Sequence, residues 1–302
     1  MTDLAIKIEL SAVIVVVTGK EPRIVLDPQN ALPSGPFATD HRTMEQGLRA
    51  WAGLPLGYVE QLYTFADSDR RTGSKRIVSI GYLALLQAEA AAGNAHWSSW
   101  YKHLPWEDHR KDSGAMIAKQ ILPHLNAWKA AASSGAAKTS RAERIAIAFP
   151  TDKRRWNDEL VLQRYELLWE AGMVEESPFY KQAKNQASLG HASLGLSMAH
   201  DHRRILATAV ARLRAKIKYR PVVFELMPQS FTLLQLQETV EALAGLKLHK
   251  PNFRRLIEGQ GLVEETGAVI RGASGRPAKL FAFRRETLRE RAVAGTKPSR
   301  VS

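Results

Sequence analysis

Four residues whose side chains suit nucleic-acid recognition lie within six positions: Lys250, Asn252, Arg254 and Arg255. In the major groove of DNA an arginine can pair with guanine and an asparagine with adenine, whereas a lysine contacts phosphates. Pro251 suits the first turn of a helix, so these side chains are expected near a helix start. The spacing therefore predicts a short helix that binds double-stranded DNA.

The elements that would position this helix can also be predicted. Before it, Thr232 is an expected N-cap and Gln235 its capping-box partner. A turn over 245–249 then separates this first helix from the second, over 251–258. The second helix is predicted to bury three residues on one face: Phe253, Leu256 and Ile257. Two short helices joined by a tight turn are typical of a helix-turn-helix.

A predicted hairpin follows, with strands starting near Gly261 and at Lys279. The Gly- and Arg-rich loop over 271–277 has the composition of a wing, so the whole segment reads as a winged helix. The wing would add four DNA contacts, along the backbone or in the minor groove: Arg271, Ser274, Arg276 and Lys279. The alternatives are a winged helix that contacts protein, or a basic face that contacts only solvent.

The net charge of +13 favours a polyanionic partner, either nucleic acid or, less often, an anionic membrane. Residues 203–302 hold 20 Lys and Arg against 8 Asp and Glu, so the sequence assigns +12 to the last hundred residues. Cysteine is absent, which excludes disulfides, thiolate metal sites and a cysteine nucleophile. Without a signal peptide or an apolar run of membrane length, a cytoplasmic protein is expected and membrane binding is not.

The first 86 residues predict a hairpin, a helix over 43–51 and two further strands. This order, with the stretch 31–37, resembles the Nudix fold. The Nudix box needs several glutamates to hold magnesium, and here only its Gly35 and Arg49 are matched. His41 and Ala50 stand at glutamate positions, which leaves Glu45 as the only carboxylate of the helix. We therefore predict no catalytic residues, no metal site and no pyrophosphohydrolase activity.

Residues 88–186 predict a helical insertion rich in alanine and tryptophan. Its clustered tryptophans are expected to pack the insertion onto its host, although they could bind a base or sugar. The cluster His200-Asp201-His202 lacks the spacing of a zinc site and is read as a helix start with surface histidines.

Two pairs of segments resemble the NrtR-like family of Nudix-related transcriptional regulators of NAD metabolism. They are 212–216 with 219–228, and 252–255 with 274–281. Trp106-Glu107-Asp108 and 156–160 are similar to the NadQ branch from alphaproteobacteria. The resemblance implies an α/β (α+β) Nudix-like sandwich over 1–218 with the helical insertion, followed by a winged helix-turn-helix domain over 219–302.

The resemblance also implies a homodimeric repressor of NAD biosynthesis or salvage genes. It would bind a two-fold operator and an adenine nucleotide effector, ADP-ribose, NAD or ATP, and would require no cofactor. Phosphate contacts are expected from Arg23, Arg49 and Arg76, and base contacts from Phe37 or Trp51. The alternatives are a residual Nudix hydrolase acting on ADP-ribose or a related nucleotide, and a nucleotide-sensing adaptor that binds proteins.

Overall fold

The computed structural model describes residues 6–37, 42–66, 70–72, 75–91, 95–111, 113–151, 155–186, 194–270 and 277–284. The predictions made for His41, Arg271, Ser274 and Arg276 fall outside these residues.

A mixed sheet forms the centre of the first module. Its strands are β1 (Ile6–Thr18), β2 (Glu21–Leu26), β3 (Ser34–Pro36), β4 (Val59–Phe65), β5 (Arg71–Thr72), β6 (Lys75–Leu85) and β7 (His96–Ser99). The main order is β4-β6-β1-β2-β7, with β3 beside β1 and β5 beside β6. β1 and β6 are parallel, and the other pairs are antiparallel. The continuous apolar run of β1 is buried because β1 is a central strand covered on both faces.

Each face of this sheet is covered by a helix. On one face Leu10 and Ile14 of β1 pack in a cluster with Leu48 of α1 (Met44–Ala52). On the other face the alternate residues of β1 pack with Ile205 of α8 (His202–Tyr219). This arrangement confirms the predicted α/β sandwich.

The helices between the sheet and α8 are short. They are α2 (Trp100–His103), α3 (Ser113–Met116), a π-helical turn (Ile117–Ile121), α4 (Leu122–Ala130), α5 (Gly135–Ala148), α6 (Val161–Glu170) and α7 (Tyr180–Gln186). Trp100 and Trp106 are fully buried in the main core, as a packing role requires. One part of the expected insertion differs, because β7 lies within 88–186 and pairs with β2 as a strand of the sheet.

The C-terminal elements form the predicted winged helix. They are α9 (Leu233–Ala244), α10 (Lys250–Gln260), β8 (Val263–Ile270) and β9 (Ala278–Phe283). The capping box is complete, since Thr232 accepts from the Gln235 amide and the Gln235 side chain accepts from the Thr232 amide. Phe224 stacks on Phe283 with ring centroids 4.2 Å apart, and the same hydrophobic core extends into the first module.

Among the described helices, none combines the length and the apolar character needed to cross a bilayer.

Candidate nucleic-acid interface and ligand site

The exposed face of α10 carries the side chains that were predicted to contact DNA. Lys250, Asn252, Arg254 and Arg255 are all exposed. The helix starts with proline in its first turn and ends at Gly261, whose φ of 60° is left-handed. Both ends are therefore defined by local sequence, which gives the helix a fixed length against the rest of the domain.

The prediction for Leu256 was wrong. Its exposed fraction is 57%, whereas Phe253 and Ile257 are buried at 6% and 8%. α10 packs through a narrow stripe of residues four apart, and Leu256 lies about 100° around the helix from Ile257. Leu256 therefore shares an open face with Asn252, four residues earlier, and with Gly259, which has free space around its Cα.

The wing residue that the structure describes is Lys279, on β9. Its ammonium lies 2.8 and 2.9 Å from the two carboxylate oxygens of Glu265 on β8, and the lysine side chain is 63% exposed. Because an exposed pair of this kind is weak, a DNA phosphate could compete with Glu265 for this lysine.

The helix that corresponds to the Nudix box is held by internal contacts. Arg49 donates to the carboxylate of Glu45 at 2.9 and 3.0 Å, and to the carbonyls of Leu56 and Gly57. A Cβ at position 35 would lie 2.3 Å from the Trp51 indole, so glycine is required there for packing. Among the described residues, no three His, Asp or Glu side chains gather as metal ligands. The predicted absence of a metal site stays a prediction.

The predicted ligand residues do not all meet. Along β1, Arg76 is opposite Ile6 and Arg23 is opposite Val16. Ten residues of strand separate the two arginines by roughly 33 Å. The predicted ligand residues therefore do not form one compact site. They were chosen because they lie near the Nudix-like motif in the sequence, and that nearness does not determine how the strands pair.

Three of the predicted ligand residues, Phe37, Trp51 and Arg76, lie toward the N-terminal end of β1. Phe37 follows β3 and is 41% exposed, and Trp51 lies against Gly35. Arg76 donates to the Ala66 carbonyl at 2.6 Å.

The described residues also form a cavity of about 450 Å³ on the opposite face of the sheet from α1. It is lined by Tyr63, Glu159, Leu162, Gln163, Thr208, Ala211, Arg212, Ala215, Lys216 and Arg220. The Arg212 guanidinium lies 5.5 Å from the centre of the Tyr63 ring, so aromatic and cationic groups meet here. Sequence reasoning missed this cavity, although the four-residue spacing of Arg212 and Lys216 on one face of α8 was a usable signal.

The cations of α8 are paired with carboxylates, and the side chains of Arg203 and Arg214 are fully buried. All six basic residues of this helix form ion pairs with carboxylates of the first module. They are Arg203, Arg204, Arg212, Arg214, Lys216 and Lys218. Because these cations already pair with carboxylates, they contribute less unpaired charge to a DNA-binding surface than the regional +12 suggests.

His202, which begins α8, was predicted to be a surface histidine, and this prediction was wrong. It is buried, and its Nδ1 accepts from the Leu32 amide at 2.9 Å. Burial, followed by the nearby His200 and Arg70, lowers the pKa of His202 to about 4. The imidazole is therefore neutral near pH 7 and holds the loop before β3 against α8.

Comparison with known proteins agrees with this architecture. Residues 223–283 match the NrtR DNA-binding winged helix domain family. A curated relative, the ADPR responsive transcriptional repressor NtrR of Acinetobacter baylyi (strain ATCC 33305 / BD413 / ADP1), is 42% identical over 91 residues. That match covers 30% of this chain and about a third (36%) of the relative's length.

Two solved structures resemble nearly the whole chain. Shewanella oneidensis NrtR complexed with a 27mer DNA has a TM-score of 0.53 and 19% identity, over 93% of this chain and 94% of that one. A second structure of Shewanella oneidensis NrtR has a TM-score of 0.51 and 18% identity, over 92% of this chain and 94% of that one. At this identity the likeness shows the fold. Together with the domain match, it confirms the winged helix and the resemblance to the NrtR-like family.

Proposed function

We propose that this chain, which carries an NrtR-type winged helix on a Nudix-like fold, is a DNA-binding transcriptional repressor that senses an adenine nucleotide. The observation that carries the proposal is the exposed α10 face with Asn252, Arg254 and Arg255, inside the segment that matches the NrtR DNA-binding domain. A helix of this composition can enter the major groove and contact base edges.

The proposed targets are genes of NAD biosynthesis or salvage, in keeping with the resemblance to regulators of NAD metabolism. Two copies of the chain would bind an operator with two-fold symmetry, because paired recognition helices must reach grooves one or more turns apart. A cytoplasmic location follows, since the operator is there. The NadQ branch is proposed within this family.

ADP-ribose is the first effector to test, because the curated relative is described as ADPR responsive. NAD and ATP remain candidates. An effector changes operator affinity only if it binds two conformations of the repressor with different affinity. No bound cofactor is needed for such a switch.

We propose that the Nudix-like domain does not hydrolyse its ligand. Glu45, the one carboxylate of α1, is paired with Arg49, and hydrolysis of a diphosphate needs a cluster of carboxylates around magnesium. The test incubates the purified protein with ADP-ribose and magnesium and measures AMP. Release of AMP at the turnover of Nudix enzymes would replace this proposal with the residual hydrolase.

The effector could bind beside α1 or in the cavity beside α8. Phe37→Ala tests the first place and Arg212→Ala the second, since both side chains are partly exposed and neither is a core residue. A thermal-shift titration with ADP-ribose, NAD and ATP measures the effect, because a ligand that binds only the folded state raises its stability. The variant that loses the shift identifies the site.

The DNA-binding test is a gel shift with the region upstream of the protein's own gene and with promoters of NAD-pathway genes. Arg254→Ala and Arg255→Ala should each weaken specific binding by about 1–3 kcal/mol if the residue contacts a base. Lys138→Ala, which removes an exposed cation from the insertion, is the matched control and should have no effect. Absence of any shift at low salt would favour the protein-binding adaptor.

A further inference from the structure

The first helix of the helix-turn-helix ends against side chains from outside its own domain. The last carbonyls of a helix have no partner within it. In α9 the Ala242 carbonyl accepts from the Tyr101 hydroxyl at 2.7 Å, and the Leu243 carbonyl accepts from Arg214 Nε at 3.0 Å. A cation at this end also interacts favourably with the helix dipole. The insertion and α8 thus stabilise the helix end that precedes the turn.

Arg214 is held in place by a buried carboxylate. Its Nη1 lies 2.6 Å from Glu107 Oε2, and Arg164 of α6 donates to both Glu107 oxygens at 2.6 and 2.9 Å. All three side chains are inaccessible to solvent. Burial opposes ionisation of Glu107, but the two guanidinium groups outweigh it and hold the pKa of this carboxyl below its ordinary value. The carboxylate therefore stays charged, and Arg214 is held by a charge-assisted hydrogen bond.

The turn of the helix-turn-helix fits directly on this cluster. Gly245 ends α9 with a φ of 70°. A Cβ at this position would lie 2.3 Å from the Glu107 carbonyl oxygen, 2.8 Å from Arg214 Nη2 and 2.9 Å from the Tyr101 hydroxyl. Glycine is therefore needed for the approach as well as for the backbone angle. The recognition helix α10 starts five residues later.

A second contact holds α9 to the sensor sheet near the same place. Lys20, at the tip of the β1–β2 hairpin, lies 2.7 Å from Glu238 of α9. Arg110, beside the Glu107 segment, donates to the Lys20 carbonyl at 2.6 Å and lies 5.0 Å from the centre of the Tyr101 ring. The hairpin tip, the insertion and α9 are thereby connected in one network.

We propose that Glu107, Arg214 and Tyr101 are positioning residues for operator recognition, which hold the turn before α10 and link the angle of the recognition helix to the sensor. This gives the helical insertion a function: it supplies two of the three groups. The inference rests on the proposed function for its DNA readout, but its structural part can be tested without DNA.

The experiment compares two buried tyrosines that each lose only a hydroxyl group. Tyr101→Phe removes the bond to the Ala242 carbonyl and the bond that the hydroxyl accepts from Arg214, whereas Tyr165→Phe removes a bond to Glu176, which pairs with Arg203 at the other end of α8. Operator affinity is measured by fluorescence anisotropy with and without ADP-ribose, and hydrogen exchange is measured on the free protein. Thermal melting checks that each full-length variant is folded.

Tyr101→Phe should weaken operator binding or change the ratio of affinities with and without ADP-ribose by about fivefold or more, a typical lower limit for coupling between sites. It should also speed amide exchange over 242–250, whereas Tyr165→Phe should change neither. A merely structural tyrosine would lower the melting temperature and leave both the affinity ratio and the local exchange unchanged. That result for Tyr101→Phe would overturn the inference.

A glycine pair provides the second comparison. Gly245→Ala and Gly261→Ala both place a Cβ at a left-handed position, but only the first would meet the cluster, since Gly261 has open space. Gly245→Ala should therefore alter exchange in the turn and operator affinity far more than Gly261→Ala, and equal effects would argue against the inference. If the unaltered protein binds no DNA, the proposed function fails, and the exchange measurements still decide whether the cluster holds the turn.

Discussion

At the scale of single residues, hydrogen bonds between near neighbours define the start of α9. Thr232 and Gln235 form the capping box because its hydrogen bonds join residues three apart in the sequence. Leu256 was expected with Phe253 because residues three apart share a helix face. How wide that buried face is depends on what packs against the helix, and here only Phe253 and Ile257 are covered.

The exposure of Leu256 leads to a prediction for DNA binding. On the same face as Asn252 it is placed to contact a thymine methyl group, so Leu256→Ala should weaken operator binding by about 1 kcal/mol with little effect on the melting temperature. Leu234→Ala is the control, because Leu234 is 44% exposed on α9, outside the recognition helix. Equal loss in both variants, measured by anisotropy, would contradict this role.

At the scale of elements, α8 connects the parts of the molecule. It covers one face of the sheet, lines the cavity with Arg212 and Lys216, and reaches α9 through Arg214. Its apolar face was predictable from helical periodicity. The carboxylates that pair with its cations were not predictable, since Glu60, Glu107 and Glu176 come from three different segments of the chain.

Two buried histidines, His103 and His202, predict that the stability of the fold depends on pH. Burial above all lowers the pKa values of His103 and His202 to about 4, whereas an unfolded histidine titrates near 6.5. The unfolded state therefore binds more protons below pH 6.5, and stability is full above that pH and falls as pH decreases toward 4. At pH 5 each histidine should lower the free energy of unfolding by about 2 kcal/mol relative to its value at neutral pH.

The measurement is the free energy of unfolding by urea at pH 7 and pH 5. His103→Gln and His202→Gln should each reduce the loss on acidification, since glutamine does not titrate. His96→Gln, at an exposed position, is the control and should leave the loss unchanged. The prediction fails if acidification from pH 7 to pH 5 lowers the free energy of unfolding of His103→Gln and His202→Gln as much as that of the unaltered protein.

At the scale of the whole molecule, the distribution of charge depends on where the boundary is drawn. With the division after residue 218, the first part holds 29 basic and 22 acidic residues and the second holds 14 and 8. The net charges are then +7 and +6. Half of the apparent excess of the last hundred residues thus came from α8, whose cations pair with carboxylates of the first module.

This pairing predicts how DNA binding responds to salt. Only cations that contact phosphates release counterions, so Lys250→Gln should reduce the slope of log affinity against log salt by about 1. Lys218→Gln removes the same charge from α8, where Lys218 is paired with Asp158 and Glu159, and should leave the slope unchanged. Equal slopes for the two variants would place the phosphate contacts elsewhere.

The sequence by itself determined the features that depend on neighbouring residues. These are the winged helix with its capping box, the buried run of β1 and the isolated carboxylate of α1, because caps, alternation and helical spacing act within a few positions. Tertiary structure decided the rest. Strand register separated Arg23 from Arg76, and long-range packing brought Glu107 and Arg214 together beside the turn that precedes α10. A buried charge needs a partner of opposite charge, and the fold can supply that partner from any part of the chain. The separation of two residues in the sequence therefore does not show which residues will pair.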